Sequence, residues 1–246
     1  MFNWLRGATD KPNARALSFG GIIKRIFVVF ILYVLLYQLW VLMHVWWWVE
    51  HNPSSSAFMK ARLAVMQETA ADSEIKYIWV PYNKISKHLK RAVIASEDAK
   101  FVDHQGFDWE GIEGAYEKNL KKGKIVAGGS TISQQLAKNL FLSGHRTPWR
   151  KGQEAIITLM IEKLMDKKRI FEIYLNIIEW GDGVFGAEAA AKHYYKTSAN
   201  RLGRTQAAKL AVMIPNPRYY DKHRNTRYLN KRVATIQARM ASAAIP

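Results

Sequence analysis

The 246-residue chain contains no cysteine. That excludes disulfides, thiolate nucleophiles and cysteine-ligated zinc, and it leaves the compartment open, because reducing and oxidising locations both tolerate its absence. Acid is scarce: 20 Asp and Glu face 37 Lys and Arg, for a formal net charge of +17. A cation of that size seeks polyanions, and nucleic acid, anionic lipid head groups and pyrophosphate-bearing substrates all qualify on charge alone. The seven histidines show neither a His-x-x-x-His spacing nor a carboxylate partner pattern, which argues against a histidine-based metal site. No internal repeat and no succession of strands able to build a large sheet is present, so the fold class expected is mostly α with at most a small hairpin.

One stretch lacks formal charge altogether. Between Ile26 and Val49 there is no Asp, Glu, Lys or Arg, and only Gln38 and His44 are notable polar interruptions. As a helix this run reaches about 36 Å, enough for a bilayer core of roughly 30 Å. A cleaved signal peptide would carry an apolar core of about 7 to 15 residues and then a small-residue cleavage site. Here Trp46, Trp47 and Trp48 close the run, as residues of an interfacial belt do. Arg6, Lys11, Arg15, Lys24 and Arg25 precede the span, whereas only Lys60 and Arg62 lie in the stretch after Glu50. The N-terminus is therefore expected in the cytoplasm and the main domain outside it. That placement removes nucleic acid as a partner and favours the membrane surface or a lipid-linked anion. The expected organisation is a basic tail over 1–25, a transmembrane anchor over 26–49, a Pro/Ser-containing linker over 50–60 and one domain over 61–246.

Two stretches concentrate polar chemistry. VIASEDAKFVDHQGFD, Val93 to Asp108, sets Glu97 and Asp98 at the polar end of an apolar helical run and follows them with Phe101, His104 and a glycine. Such a helix end is by itself commonly just a charged terminus. A carboxylate beside an apolar helix and Phe101 can also have its pKa raised by desolvation, and the like charge of Asp98 pushes the same way. In GGSTISQQLAKN, Gly128 to Asn139, Thr131 and Gln134 make a capping-box pattern. On the helix they open, Ser130, Gln134 and Lys138 share one face while Ile132, Leu136 and Leu140 share another.

The remaining periodicity is mostly helical. Helices are expected over about Ala57–Thr69, from Asp108 as N-cap through an apolar stripe of Trp109, Ile112, Tyr116 and Leu120, and from Thr147–Pro148 to about Asp166 with Ile157, Met160, Ile161 and Leu164 buried. Glu154 lies in the second turn of that last helix, at salt-bridge spacing from Arg150. Further helices are expected over 168–179, about Arg204–Met213 and Arg224–Ala243. GDGVFG reads as a turn, because the strand-and-helix context of a nucleotide loop is missing. An SxxK at Ser73–Lys76 and an SxN at Ser198–Asn200 are chance matches to serine-enzyme motifs, since the SxN overlaps the near-KTG at Lys196–Ser198.

Taken together, the polar stretches look like a family. EDAKFVDHQGFD resembles the EDxxFxxHxGxD signature of the peptidoglycan glycosyltransferases, the family-51 enzymes that polymerise lipid II, and GGSTISQQLAKN resembles their second signature. RKGQE from Arg150, EIYLNIIEWGDGVFGAEAAAKHYY from Glu172 and AAKLAVMIPNPRYY from Ala207 are similar to the third, fourth and last, in order over about residues 75 to 240. The one departure is Met-Ile before Pro215, where leucine is usual. With one anchor before the domain and no transpeptidase module after it, the chain resembles the monofunctional biosynthetic members of that family.

The resemblance implies a lysozyme-like helical glycosyltransferase domain after one N-terminal transmembrane helix. It also implies a reaction in which a sugar hydroxyl of lipid II displaces undecaprenyl pyrophosphate from the growing strand with inversion. Glu97 is then the catalytic base, and Lys138 and Arg146 meet the leaving pyrophosphate, with Ser130, Gln134 and the helix start near Thr131 as donors. Asp98, Phe101, His104, Gln135, Asn139, Arg150 and Lys151 are further expected substrate-binding positions. Glu154 is expected to act in catalysis, either by holding a divalent cation, Mg²⁺ or Mn²⁺, on the pyrophosphate or by positioning a basic side chain. The implied partners are lipid II, the lipid-linked nascent strand, the membrane and other cell-wall synthesis or division proteins. The aromatics between Phe58 and Tyr82, with the surplus positive charge, are candidates to dock the domain onto the outer leaflet of the inner membrane. A hydrolase is the rival enzyme, but its leaving group is a neutral sugar and needs no basic cluster. A non-catalytic scaffold would be expected to lose at least one of Glu97, Lys138, Arg146 and Glu154.

Overall fold

The computed structural model describes residues 19–124, 128–145 and 147–246. The described residues form α1 (Phe19–Trp47), α2 (Ala57–Thr69), β1 (Lys76–Tyr77), α3 (Lys87–Glu97), α4 (Trp109–Lys122), α5 (Ile132–Phe141) and α6 (Pro148–Leu164). They continue with α7 (Lys167–Ile177), β2 (Glu179–Gly181), β3 (Val184–Phe185), α8 (Ala187–Tyr195), α9 (Arg204–Met213), α10 (Pro217–Lys222) and α11 (Arg227–Arg239). The chain divides into two units, one ending at Trp40 and one spanning Val41–Pro246. The first holds most of α1, a 29-residue helix whose most apolar window has a mean hydropathy of 2.5 and which is long enough to cross a membrane. Its large side chains, Phe27, Val29, Leu36 and Trp40 among them, are exposed. The helix starts ahead of the uncharged run and takes in Lys24 and Arg25, since nothing from Phe19 to Arg25 breaks it.

In the second unit α5 is a hub that packs on α2, α6 and α7. Its residues Ile132, Leu136, Ala137 and Leu140 recur at helical spacing and are all buried, so one stripe of a short helix joins several neighbours. Helix α7 buries Ile170, Phe171, Ile173, Tyr174, Leu175 and Ile177. Phe171 stands between the rings of Phe101 at 5.5 Å and of Tyr82 and Tyr174 at 6.4 Å. Helix α3, which buries Leu89, Ala92, Val93 and Ile94, packs on α9, which buries the small Ala207, Ala208 and Ala211 among its residues. The capping pattern holds: Asp108, Thr131 and Thr147 each accept a hydrogen bond from the first turn of α4, α5 and α6, and Thr131 with Gln134 forms the reciprocal box.

Three expectations change. The stripe on α4 is not core: Trp109, Tyr116 and Leu120 are 71%, 63% and 63% exposed, and Ala115 is the only buried residue of the helix. Its period makes the helix amphipathic, but Trp109 meets only the ring of Phe107 at 5.5 Å among the described aromatics, and the stripe stays largely exposed. Met160 and Leu164 are half-buried. The stop at IPNP is followed by a short extra helix, α10, because Pro217 suits a first helical position as well as it ends a preceding helix.

GDGVFG, read as a turn, joins β2 to β3 in a hairpin, and β1 is added parallel to β3 to give the order β1-β3-β2. Gly186 follows with φ at +83°, and a Cβ there would sit 2.6 Å from the Asn176 carbonyl oxygen. That approach is used: Gly186 N–H donates to Ile178 O at 3.1 Å, and the Asn176 amide pairs with both Val80 N–H and Val80 O at 2.9 Å. Gly186→Ala combines a left-handed φ with a backbone collision, and is expected to cost on the order of 3 kcal/mol. Denaturation of the two proteins side by side in the same detergent checks this, and an unchanged midpoint contradicts the account of the hairpin.

Candidate active site

A cleft of about 750 Å³ is lined in part by Ser130, Gln134, Gln135, Lys138, Asn139, Arg150, Lys151 and Glu154, which come from the lead-in to α5, the length of α5 and the N-terminal half of α6. The cap at Thr131 fixes where α5 begins, and the cap at Thr147 with Pro148 fixes where α6 begins. Both helix starts thus face the same space.

Glu97 ends α3 and is half-buried. Ser96 Oγ donates to its Oε1 at 3.0 Å and Gln135 Nε2 donates to its Oε2 at 3.2 Å, while Gln135 Oε1 accepts from the Tyr174 hydroxyl at 2.9 Å. Gln135 is the link between Glu97 and the cleft. Burial pushes the Glu97 carboxyl above its ordinary value, and the bonds from Gln135 and Ser96 with the charges of Arg232 and Lys138 pull it partly back. Burial and the two nearby carboxylates, Glu97 and Asp98, hold the Tyr174 hydroxyl far above the usual tyrosine range.

Asp98 is buried and turned toward α5: it accepts from Ile132 N–H at 2.9 Å and meets His104 Nε2 at 3.0 and 3.1 Å. The like-charge push on Glu97 expected from Asp98 is not among the causes of its raised pKa. Phe101, expected at the substrate, is instead fully buried against Phe171, with Lys167 Nζ 4.6 Å over its ring. Glu97, Asp98, Phe101 and His104 are not among the residues that line the cleft, and Glu97 reaches it through Gln135.

The cationic side is knitted to Glu154. Its side chain is 3% exposed, with Oε2 taking Arg150 Nη1 at 2.6 Å and Oε1 taking Lys151 Nζ, which also reaches Ser130 Oγ at 3.3 Å. Buried Arg150 Nε has no partner among the described residues. Lys138 Nζ lies 5.5 Å over the Phe58 ring. Gln134 gives its Oε1 to the cap of α5, and Asn139 Nδ2 donates back to Gln135 O at 2.7 Å. Arg146 lies outside the described residues. No group of three His, Cys, Asp or Glu side chains able to hold a metal occurs among the described residues. With both Glu154 oxygens already bonded to cations, these side chains do not fit a resident divalent ion.

The transglycosylase family profile matches residues 63–241. The chain belongs to the transglycosylase family. It is 68% identical over 213 residues to a biosynthetic peptidoglycan transglycosylase of Methylobacillus flagellatus, covering 87% of this chain and 93% of the relative. Proteins of the same description from Chromobacterium violaceum and Laribacter hongkongensis are 64% and 65% identical over 212 residues, each covering 86% of this chain and 93% of the relative.

The transglycosylase cleft also contains residues that sequence reasoning missed. Phe58, Glu179, Asn216 and Arg218 line it, from α2, the hairpin and the start of α10. For three of them the signal was their place in matched motifs: Glu179 sits inside the fourth, and Asn216 and Arg218 inside the last; Phe58 lies ahead of every motif.

The raised Glu97 pKa sets a sign for stability. The folded chain holds this proton more tightly than the unfolded chain, so stability is lost as pH rises from the ordinary carboxylate range through the raised value. Glu97→Gln removes the charge that must be buried, and is expected to raise the melting temperature of the transglycosylase at neutral pH, with the gain fading as pH falls through that window. Thermal scans of both proteins across pH decide it, and a lower or pH-independent midpoint for the variant contradicts the assignment.

Proposed function

We propose that this transglycosylase polymerises lipid II into glycan strands, releasing undecaprenyl pyrophosphate, in bacterial cell-wall synthesis. The observation that carries this reading is the pairing of a desolvated carboxylate, Glu97, with a cleft whose lining includes Lys138, Arg150 and Lys151. A base without cations suits hydrolysis with a neutral leaving group; a base beside a cationic wall suits departure of pyrophosphate.

In this reading the 4-hydroxyl of the lipid II N-acetylglucosamine attacks the anomeric carbon of the strand's N-acetylmuramic acid. The new C–O bond forms as the bond to pyrophosphate breaks, the hydroxyl proton passes to the Glu97 carboxylate, and the electron pair leaves with the pyrophosphate. Burial is what fits Glu97 to the task, since a base is more effective when its pKa approaches the working pH. Lys138, Arg150 and Lys151 take up the charge that develops on the leaving oxygens, and Ser130 adds a hydroxyl donor. Arg146 is assigned to the same wall by resemblance alone. Glu154 acts in catalysis by holding Arg150 and Lys151 in place, and any divalent cation, Mg²⁺ or Mn²⁺, arrives with the pyrophosphate.

Incubation with lipid II, followed by muramidase digestion of the product, tests the reaction. Wild-type protein is expected to yield strands that muramidase cuts, and Glu97→Gln to lose on the order of a thousandfold in rate. Strand formation by that variant at the wild-type rate would sink the role of Glu97. EDTA is expected to slow the reaction and added Mg²⁺ or Mn²⁺ to restore it; equal yields with and without EDTA remove the cation.

We place α1 in the bacterial inner membrane as a single pass, with the N-terminus cytoplasmic and the catalytic domain periplasmic, on the excess of basic residues before the span. Of the aromatics first expected to dock the domain, Tyr82 is buried and Phe58 belongs to the cleft. The exposed Trp109, Tyr116 and Leu120 of α4 take over that role in this reading, because an apolar stripe on a basic domain is what an anionic leaflet attracts. Cosedimentation of residues 41–246 with anionic vesicles at low salt measures it. Trp109→Ser with Tyr116→Ser is expected to cut binding about tenfold or more, and binding equal to the parent's transfers the docking to another surface.

A further inference from the structure

Glu179 is left without work by the mechanism above. It opens β2, its side chain is 10% exposed, and it lines the cleft. A carboxylate that buried normally has its oxygens well bonded. Here Oε1 receives one long hydrogen bond, from Gly183 N–H at 3.4 Å, and no described residue donates a hydrogen bond to Oε2. Two guanidiniums make long ion pairs with it, neither a hydrogen bond: Arg62 Nε is 3.9 Å from Oε1 and Arg218 Nε is 3.6 Å from Oε2. Arg62 makes its close ion pair with Asp182 instead, and its buried Nε stays without a partner among the described residues. The two ion pairs are too long to use the oxygens as hydrogen-bond acceptors, so the carboxylate keeps acceptor capacity toward the cleft.

The surroundings say what such a carboxylate is open to. Asn216, exposed on the cleft lining, precedes α10, which packs on β2; its side chain does not cap that helix and makes no hydrogen bond to a described residue. Phe58, Ile178, Ile214 and Pro215 complete this part of the wall. A carboxylate and an amide on an aromatic and apolar bed suit a sugar ring, which offers hydroxyl and acetamido donors at its edge and C–H groups on its faces. Glu179 repels pyrophosphate, and it offsets the charge of Arg218, which lines the same cleft 3.6 Å away. Burial raises the Glu179 carboxyl, with Arg218 opposing, as expected where water is a poor competitor for the bond.

We infer that Glu179, together with Asn216, is a specificity site that hydrogen-bonds a hydroxyl or acetamido group of a substrate sugar. This rests on reading the cleft as the lipid II site. The bond is charge-assisted, so its loss is expected to weaken substrate binding about tenfold to a hundredfold.

The test uses the full-length chain in detergent, with Glu179→Gln as the isosteric change and Glu179→Ala as the larger one. In the Glu97→Gln background, adding Glu179→Gln is expected to raise the Kd for lipid II about tenfold or more, and Glu179→Ala further. The Kd for undecaprenyl pyrophosphate, which has no sugar, is expected to stay within about twofold. With Glu97 intact, the KM for lipid II rises and kcat changes less. Unchanged binding of lipid II overturns the inference. Equal weakening for both ligands does so as well, as does a fall in melting temperature and kcat at constant KM. Wild-type protein that binds lipid II but forms no strands would overturn the polymerase reading alone, because the binding comparison still reads Glu179.

Discussion

The site depends on one hydrogen bond, from Ile132 N–H to the buried Asp98 carboxylate at 2.9 Å. An unpaired carboxylate at that depth would cost several kcal/mol. The free N–H groups and positive end of α5 are what make it tolerable, and His104 closes the other side. The bond ties the last turn of α3 to the first turn of α5, two elements 34 residues apart in sequence. Because Glu97 immediately precedes Asp98, fixing one places the other beside Gln135. Two adjacent acids thus have separate tasks: Asp98 makes the joint, and Glu97 is left to the chemistry.

The second constraint is charge. A cleft lined by Lys138, Arg150 and Lys151 would repel itself if these side chains had no counterion, and Glu154 supplies one by bonding Arg150 and Lys151 at once. The pairing makes the cations rigid without removing their field, since two positive charges share one negative. That surplus is the local form of the +17 carried by the whole chain, and it is directed at an anion larger than any side chain present. Glu179 fits the same logic with the opposite sign: a carboxylate lining the same cleft leaves part of the wall unattractive to phosphate.

What could be read from the sequence was local. The caps at Asp108, Thr131 and Thr147 and the stripe of Ile132, Leu136 and Leu140 follow from spacing within one turn or one helix, and the structure contains them. The Arg150–Glu154 pair was legible for the same reason, at i,i+4. What could not be read depended on the partner of a face. Periodicity gave α4 an apolar stripe but could not say that Trp109, Tyr116 and Leu120 would be left uncovered. Phe101, in the midst of polar motif residues, looked like a substrate contact, yet Phe171 and Lys167 enclose it. Glu179 was hidden in a turn motif, because its place in the cleft is set by the hairpin and by the approach of Gly186 to Asn176.

The polarity of the network around Glu97 follows from its far end. Tyr174 is fully buried and its hydroxyl is held far above the tyrosine range, so it stays protonated and must donate its proton. Its acceptor is Gln135 Oε1, which fixes the orientation of that amide and points Nε2 at Glu97. Glu97 therefore always faces a donor, which favours its charged form, while burial favours the neutral one. Burial is the larger effect, and the carboxyl sits above its ordinary value. A hydrophobic residue at 135 would leave Tyr174 without an acceptor and Glu97 with burial alone. The Gln-Gln pair of the second signature thus divides its labour: Gln134 builds the cap that starts α5, and Gln135 uses the turn so formed to set the state of the carboxylate on α3.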